Sequence, residues 1–425
     1  MNCEESKRGM RIVVFGLGHV GTVTIATLLR SGHTVVGVDT DEGACERMKS
    51  GSSRMREPDV AEVTASALAA GKLTVTTNAA ELGDADMAFV CVGTHGLADG
   101  KLDLSAVQAV ARHLGAAVRR RVSQAAPLLM VFRSTLPPGA MRNVVLPAVT
   151  TAVGEPPGRR YDVVYYPAFP RVGSALTDEF APTRLVIGEW KPGSAQRLLA
   201  LYDRVDTPIF AMPFEAAELS KLADNAFHAL KVVFANEIGR YAVHSGISPD
   251  DVFDQFEADT RLNLSASYLR PGGAFGGPCL PKDVTALAAQ MSEAGIATPV
   301  IGGILGSNSS HTEFLVAEIA RRVAPPARIL LVGLSFKSGT DDVRGSPFVG
   351  LAELLLDRGF ALSIYDPDLL GHTGVSAPLP SRVVAAMRAE ISTAEVWDLV
   401  VMGKENPEIL QRLGPDRALF PIYRL

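Results

Sequence analysis

The sequence predicts an α/β protein: two doubly wound α/β units joined by a long central helix and a helical middle domain. Three observations carry that prediction. A strand, glycine turn, helix and strand open the chain between Arg11 and Asp41. A similar run recurs between Arg328 and Asp368. Between the two, one helical pattern extends without interruption from about Pro213 to His244. At 425 residues the chain has room for two or three domains. The pattern divides it into 1–205, 206–315 and 316–425.

Composition narrows the function classes. Hydrophobic content of 47% and charged content of 20% are those of an ordinary globular protein. A net charge of -5 argues against a general nucleic-acid binder, which would be basic, but leaves room for a local basic pocket that takes a phosphorylated small molecule. Cys3, Cys45, Cys91 and Cys279 are widely spaced, without metal-type pairing, so no metal site is expected and a reducing compartment suits them. The opening M-N-C-E-E-S-K-R-G-M lacks the apolar core of a secretory signal, and no apolar run is long enough to span a bilayer. The expectation is a soluble cytoplasmic protein without a membrane or nucleic-acid partner.

In the first unit, Ile12 to Phe15 reads as a short buried strand, followed at once by Gly16-Leu17-Gly18-His19-Val20-Gly21. A helix with Val23, Ala26, Leu28 and Leu29 on its inner face ends at Ser31-Gly32, and a second strand, Thr34 to Val38, ends on Asp39. This is the dinucleotide fingerprint of a Rossmann-like domain in its proper context. Gly16 permits the turn, Gly18 lets a pyrophosphate approach, and Gly21 lets helix and strand pack. Asp39 accepts from both ribose hydroxyls and repels a 2′-phosphate, which favours NAD over NADP. Further strands are expected at Leu73–Thr76, Met87–Val92, Leu128–Phe132 and Val163–Tyr165. Gly93-Thr94 and Ser134-Thr135 lie just past two strand ends, where open α/β sheets bind ligands; simple turn chemistry would place the same residues there. Leu136-Pro137-Pro138-Gly139 reads as a stiff lead-in to the next helix.

On the central helix, Leu219, Leu222, Ala226, Leu230, Val233 and Ile238 recur at three- and four-residue steps as an inner stripe. Glu218, Lys221, Asn225 and His228 form a second, polar stripe, which fits a solvated face, or the lining of a pocket or subunit interface. A helix this long between two α/β units is expected to carry both, along with a dimer contact.

Tyr268 to Asp283, Y-L-R-P-G-G-A-F-G-G-P-C-L-P-K-D, holds four glycines, three prolines and one cysteine. Glycines allow tight turns and close approach, and prolines stiffen the same segment. Pro281 suits the first turn of a helix whose inner face is Val284, Leu287 and Ala288. Cys279 then falls just before a helix N-terminus, where the dipole favours the thiolate. A stiff loop that holds a thiol there suits a covalent catalyst; a structural cysteine in a tight loop would read the same way.

In the second α/β unit, Ile329 to Val332 is a strand, Gly333 begins the turn, Phe348 to Leu356 is helical, and Leu362 to Tyr365 is a strand that ends on Asp366. The turn lacks the fingerprint glycines and offers Lys337 and Arg344, cations able to hold a diphosphate or a carboxylate, although lone charges are more often plain surface. Trp397 to Met402 supplies another strand.

Taken in order, the motifs are the fingerprint, V-C-V-G-T, R-S-T-L-P-P-G, the E-x-x-K-x-x-x-N helix, G-x-F-G-G-x-C-x-P-K-D, and G-L-S-F-K-x-G-T-D-D-x-R-x-S-P. Over nearly its whole length the chain resembles the UDP-glucose/GDP-mannose dehydrogenase family. The resemblance implies a homodimer that oxidises a nucleotide sugar at its C6 alcohol to the acid, with NAD as cofactor. It makes Cys279 the nucleophile, Lys221 and Asn225 an oxyanion-stabilising pair, Asp283 the acid that assists proton transfer through water, and Thr135 a residue near the nicotinamide. It assigns cofactor contact to Gly16, Gly18, Val20, Gly21, Asp39, Thr94, Ser134, Lys282 and Arg344. It assigns the substrate to Tyr268, Arg270, Asn263, Gly273, Gly276, His228, Phe336 and Lys337.

One segment departs from the family pattern. Where the family has Y-N-P-E-F-L-R-E, this chain reads Tyr165-Tyr166-Pro167-Ala168-Phe169-Pro170-Arg171-Val172, so both glutamates are absent. Pro278 also stands in place of a serine beside the thiol. In the family those carboxylates are associated with activating the hydrolytic water, so three readings stay open: full oxidation, arrest at the aldehyde or transfer of the acyl group elsewhere, and a non-catalytic nucleotide-sugar binder. A hydroxyacid dehydrogenase with a helical second domain shares the fingerprint, but needs neither the thiol loop nor the second α/β unit.

Overall fold

The computed structural model describes residues 9–51, 57, 59–78, 82, 84–121, 126–202, 206–261, 271–295, 299–369, 378–392, 395–413 and 418–422. The chain divides into two compact units, Met1–Ala223 and Asp224–Leu425.

In the first unit, the described residues form eight strands: β1 (Arg11–Phe15), β2 (Thr34–Val38), β3 (Leu73–Thr76), β4 (Met87–Val90), β5 (Leu128–Phe132), β6 (Tyr161–Tyr165), β7 (Leu185–Glu189) and β8 (Ile209–Pro213). Their order is β3-β2-β1-β4-β5-β6-β7-β8, and every pairing is parallel except that of β6 with β7. The inner strands β1, β2, β4 and β5 are apolar runs because helices cover both faces of a parallel sheet. On β1, Val13 and Phe15 enter one core, while Ile12 and Val14 enter the other. The strand order reverses between β1 and β4, opening a crevice at their carboxyl ends.

β4 ends at Val90, two residues earlier than its apolar run implies, and β6 begins at Tyr161, two residues earlier than expected. β7 and β8 are additions to the expected set. Gly188 stands within β7 because the following helix comes close: a Cβ there would lie 3.2 Å from Phe214 Cα and 3.1 Å from Tyr165 Cβ. Pro213 ends β8 on an exposed edge, where a missing N–H costs no ladder bond.

The central helix runs Phe214–His244, 31 residues and about 46 Å long at 1.5 Å per residue. Two of its expected faces are corrected. Leu219 and Ile238 are exposed, and Glu218 is fully buried. Its carboxylate accepts from the amides of Gly139 and Met141, each at 2.6 Å, so this member of the polar stripe anchors a loop rather than meeting water.

In the second unit, the helices Pro249–Ala258, Leu280–Glu293 and Pro299–Arg322 precede a four-stranded parallel sheet: β9 (Arg328–Val332), β10 (Ala361–Tyr365), β11 (Leu399–Met402) and β12 (Leu419–Pro421), ordered β10-β9-β11-β12. The helix Pro347–Asp357 packs Phe348, Leu351 and Leu355 onto one face with Leu315 and Ile319, while Trp397, Ile409 and Leu413 cover the other. No helix among the described residues is long and apolar enough to cross a membrane.

Candidate active site

The fingerprint forms a cradle that fits a dinucleotide. Gly16 has φ +93°, and a Cβ there would come within 2.8 Å of the Cys91 carbonyl carbon. A Cβ on Gly21 would sit 1.7 Å from the Gly16 oxygen, so only glycine lets this helix reach the turn. Gly18 meets nothing within 4 Å. The helix His19–Arg30 starts there without a side-chain cap, leaving its N-terminal amides to an anion. Val20 lies in that first turn, half-buried. Asp39 accepts from the Leu17 amide at 2.7 Å and from the Asp41 amide at 2.9 Å, which fixes the carboxylate at the end of β2.

One residue of this cradle gives no signal in the sequence. Glu57, buried, accepts from the amides of Gly173 and Ala175 at 2.7 and 3.0 Å and lies 3.4 Å from His19 Nε2 in the glycine loop. The two amides it accepts from are more than a hundred residues away, so no local pattern marks it.

Thr94 and Ser134 act as rungs across the crevice. The Thr94 hydroxyl donates to the Thr135 carbonyl at 2.9 Å and Ser134 to the Val92 carbonyl at 2.7 Å, holding together the two loops that follow β4 and β5. Their hydroxyl protons are committed to backbone, so toward a ligand they offer oxygen lone pairs. Thr135 itself is half-buried beside them. Arg133, from the same motif, is buried on Glu179 and donates to Thr24 at 2.8 Å. Burial alone would lower the Arg133 pKa; the Glu179 carboxylate reverses that and raises it. The Cys91 thiol nearby is pushed up to about 11 by burial, so it is an inert core residue.

The departing segment also belongs to the first unit. Tyr166 is 5% exposed, and the Arg133 guanidinium lies 4.6 Å from its ring centroid, so this tyrosine is part of the core. Ala168 and Val172 are half-buried and carry no acid. Between them, Phe169 receives Arg184 at 4.9 Å and the Lys221 ammonium at 5.2 Å, both over its ring.

In the second unit, Cys279 caps the helix Leu280–Glu293, with Pro281 in its first turn, and the thiol residue is exposed. Four residues on, the Asp283 amide donates to the Cys279 carbonyl at 2.9 Å. The Asp283 carboxylate is 1% exposed; one oxygen accepts from Asn225 Nδ2 at 2.5 Å and the other faces Lys282 Nζ at 2.8 Å. Asn225 and Asp283, read separately from the sequence, thus form one buried pair. Lys282, expected at the cofactor, rests on Asp283. Lys221 lies one turn before Asn225 on the central helix, and His228 follows it, half-buried.

The thiol loop is clamped by three side chains whose roles the sequence does not reveal. Asn236 accepts from the Gly272 amide at 2.9 Å, Asn308 makes both bonds of a strand-like pair with Phe275 at 2.9 Å each, and His311 Nε2 meets the Gly272 carbonyl at 2.7 Å. A Cβ on Gly273 would press the Phe348 ring at 3.2 Å. A Cβ on Gly276 would strike the Gly345 oxygen at 2.3 Å, and one on Gly277 would strike the Phe336 ring at 2.8 Å. These glycines therefore bring the thiol loop against the Phe336–Gly345 loop. Arg344 is forked onto Asp342, which raises its pKa, and Cys279 is among the charges it feels. Lys337 is exposed on the same loop. Asn263, Tyr268 and Arg270 lie outside the described residues. Among the described residues no acid, histidine and cysteine cluster suits a metal ion.

Three domain profiles of one family match the chain in order: the NAD binding domain over residues 10–206, the central domain over 215–310 and the UDP binding domain over 330–411. The chain belongs to the UDP-glucose/GDP-mannose dehydrogenase family. It is 39% identical over 361 residues to the GDP-mannose 6-dehydrogenase of Pseudomonas savastanoi pv. phaseolicola, covering 85% of this chain and 81% of that one. It is 37% identical over 418 residues to the GDP-mannose 6-dehydrogenase of Azotobacter vinelandii, covering 96% and 94%. Among solved structures, a UDP-glucose dehydrogenase from the hyperthermophilic archaeon Pyrobaculum islandicum superposes with a TM-score of 0.84 at 32% identity, covering all of this chain and 96% of that one. As a member of the family it is an NAD-dependent oxidoreductase, and the cradle around Gly18 and Asp39 is where its own residues would hold NAD.

Proposed function

We propose that this family member oxidises the C6 alcohol of a nucleotide hexose, GDP-mannose first and UDP-hexoses second, through the aldehyde and a Cys279 thioester to the uronic acid. The observation that carries the reading is an exposed thiol at a helix N-terminus, one turn from the buried Asn225–Asp283 pair. The identity to two GDP-mannose 6-dehydrogenases supports the choice of base and sugar.

Bound NAD supplies the hydride acceptor, one molecule for each two-electron step. Asp283, acting through water, takes the alcohol proton as the aldehyde forms. The Cys279 thiolate, favoured by the helix dipole and the nearby Arg344 guanidinium, adds to the aldehyde carbon and forms a C–S bond. The Lys221 ammonium and the Asn225 amide stabilise the resulting oxyanion. Loss of the second hydride leaves the thioester on Cys279. Water adds to it, the C–S bond breaks, and the thiolate leaves with the acid as product. Thr135 is assigned to the nicotinamide side, Asn263, Tyr268, Arg270, Phe336 and Lys337 to the sugar nucleotide.

The changed segment favours a second reading. With Ala168 and Val172 where the family has acids, the thioester lacks those carboxylates to activate water, and loss of a general base costs about 10²–10⁴-fold in its step. On that reading the acyl group stays on Cys279 or passes to an acceptor other than water, and repeated turnover releases only the aldehyde.

NADH formed per nucleotide sugar consumed separates the two: two with acid product supports full oxidation, one with free aldehyde rejects it. In Cys279→Ser, acid formation should fall by at least about 10³-fold, because the thioester cannot form. Acid formation at the original rate would remove the thiol from the mechanism.

We also infer a homodimer. Leu219, Phe227, Phe234 and Ile238 are large apolar residues left 36–44% exposed along one stripe of the central helix, a face that a second copy would cover. The cytoplasm is the compartment we infer, since chemistry that runs on a free thiol needs a reducing one.

A further inference from the structure

The two α/β units set the same acid in the same place and then use it differently. In the first, Gly16 follows β1 at φ +93°, the Leu17 amide donates to Asp39 at 2.7 Å, and Gly18 faces open space. In the second, Gly333 follows β9 at φ +95°, and the Leu334 amide donates to Asp366 at 2.6 Å. Where Gly18 stands open, the second unit has Ser335, whose amide and hydroxyl donate to the same Asp366 oxygen at 2.8 and 3.0 Å.

Lys404, just past β11, completes the filling. Its Nζ lies 3.1 Å from Asp366 Oδ2, 3.2 Å from Asp368 Oδ2, 2.5 Å from Ser335 Oγ and 3.5 Å from the Lys337 carbonyl. Its side chain is 10% exposed and that of Asp366 is 0% exposed. The stem crosses Gly333 so closely that a Cβ there would lie 2.7 Å from Lys404 Cε. Burial would raise the Asp366 pKa, but Lys404 and the Ser335 and Leu334 amides outweigh it and hold the carboxyl below its usual range, so the pair is ionic.

This ammonium ties both ends of one turn. It reaches Ser335 and the Lys337 carbonyl directly, and through Asp368 it reaches the Gly339 amide, which donates to that carboxylate at 2.9 Å. The turn carries Phe336, which packs on Gly277 of the thiol loop, and Lys337. We propose that Lys404 is a specificity-determining and positioning residue: its ammonium stands where a dinucleotide ribose would meet Asp366, closing the second unit to NAD, and it holds the 335–339 turn in the form that receives a nucleoside diphosphate sugar. This rests on the reading of the second unit as the sugar-nucleotide site.

Binding of GDP, UDP and NAD by calorimetry, with thermal melts, tests it in the full-length protein, wild type against Lys404→Met, Lys404→Arg and the double variant Lys404→Met with Asp366→Asn. Lys404→Met should weaken whichever nucleoside diphosphate the wild type binds by about tenfold, the scale of one lost charge-assisted contact. Affinity for NAD at the first unit should change by less than about twofold, Lys404→Met should admit a second, weaker NAD per chain where the wild type binds one, and Lys404→Arg should restore most of the lost diphosphate affinity and exclude the second NAD. The double variant removes the unpaired buried carboxylate, so it should regain the melting temperature yet keep the weakened diphosphate binding. It also decides the matter alone if the single variant does not fold. Wild-type diphosphate affinity in the double variant would mean that Lys404 only neutralises Asp366, and equal weakening of NAD would mean general loosening; either result overturns the inference, as would a wild type that binds neither GDP nor UDP. A wild type that binds GDP or UDP but makes no NADH from any nucleotide sugar would instead sink the proposed reaction and leave Lys404 to be judged on binding.

Discussion

Gly18 and Gly21 stand three positions apart and are glycines for different reasons. A methyl on Gly18 touches no protein atom and would occupy only the space of the pyrophosphate, whereas one on Gly21 would lie 1.7 Å from the Gly16 oxygen. Gly18→Ala should therefore keep the wild-type melting temperature while KM for NAD rises about tenfold or more. Gly21→Ala should lose about 1–3 kcal/mol of stability as the helix is forced off the turn. Equal melting temperatures for the two variants would contradict this division of roles. The fingerprint is legible because its spacing is set by bonds within some twenty residues. Glu57, Asn236, Asn308 and His311 are not legible, since each is chosen by a distant backbone amide or carbonyl that only folding brings alongside. Asp283 reads as an acid in a first turn; that Asn225 and Lys282 hold it in the interior does not follow from its neighbours.

At the scale of elements, the central helix and the Leu136–Gly139 loop are joined by one carboxylate. Burial pushes the Glu218 carboxyl up to about 7, despite the Met141 and Gly139 amides that lower it. The folded state therefore binds a proton more tightly than the unfolded chain does. Stability from this group is complete below the ordinary value of 4.5 and is lost as pH rises through about 7. The loss should be on the order of 1–3 kcal/mol, and Glu218→Gln should flatten that part of the stability-against-pH curve in urea titrations between about pH 4 and pH 8. A wild-type curve that stays parallel to that of Glu218→Gln across the window would overturn the assignment. Glu218 reads in the sequence as one of a stripe that meets water, a pocket or a second subunit, because its helical spacing matches Lys221 and Asn225. Periodicity reports which residues share a face, but not which end of that face is covered. β7 and β8 escape notice for a related reason: Gly188 and Pro213 blur short runs whose pairing partners lie elsewhere in the chain.

For the whole molecule, the apolar stripe of the central helix is the surface the single chain leaves unfinished. Phe227 and Phe234, 43% and 39% exposed, still have about two-fifths of their surface to bury, so covering each contributes about 0.6–1.2 kcal/mol. Phe227→Glu with Phe234→Glu should turn a dimer into a monomer in light scattering at micromolar concentration, with the far-ultraviolet circular dichroism unchanged. A wild type already monomeric there, or a double variant still dimeric, would remove the stripe from the interface. What the sequence by itself determined is the local chemistry: the cradle, the stiff thiol loop, the paired strands that end on Asp39 and Asp366, and through their order the family. Those features are written in spacing, because turns, caps and helix faces depend on near neighbours. The tertiary structure alone decided which polar groups are consumed by folding and which remain for a ligand. Asp39 and Asp366 look alike in the chain, yet Gly18 stands open above the first while Ser335 and Lys404 fill the second. The difference lies in an ammonium that arrives from 38 residues away, a contact no local pattern encodes.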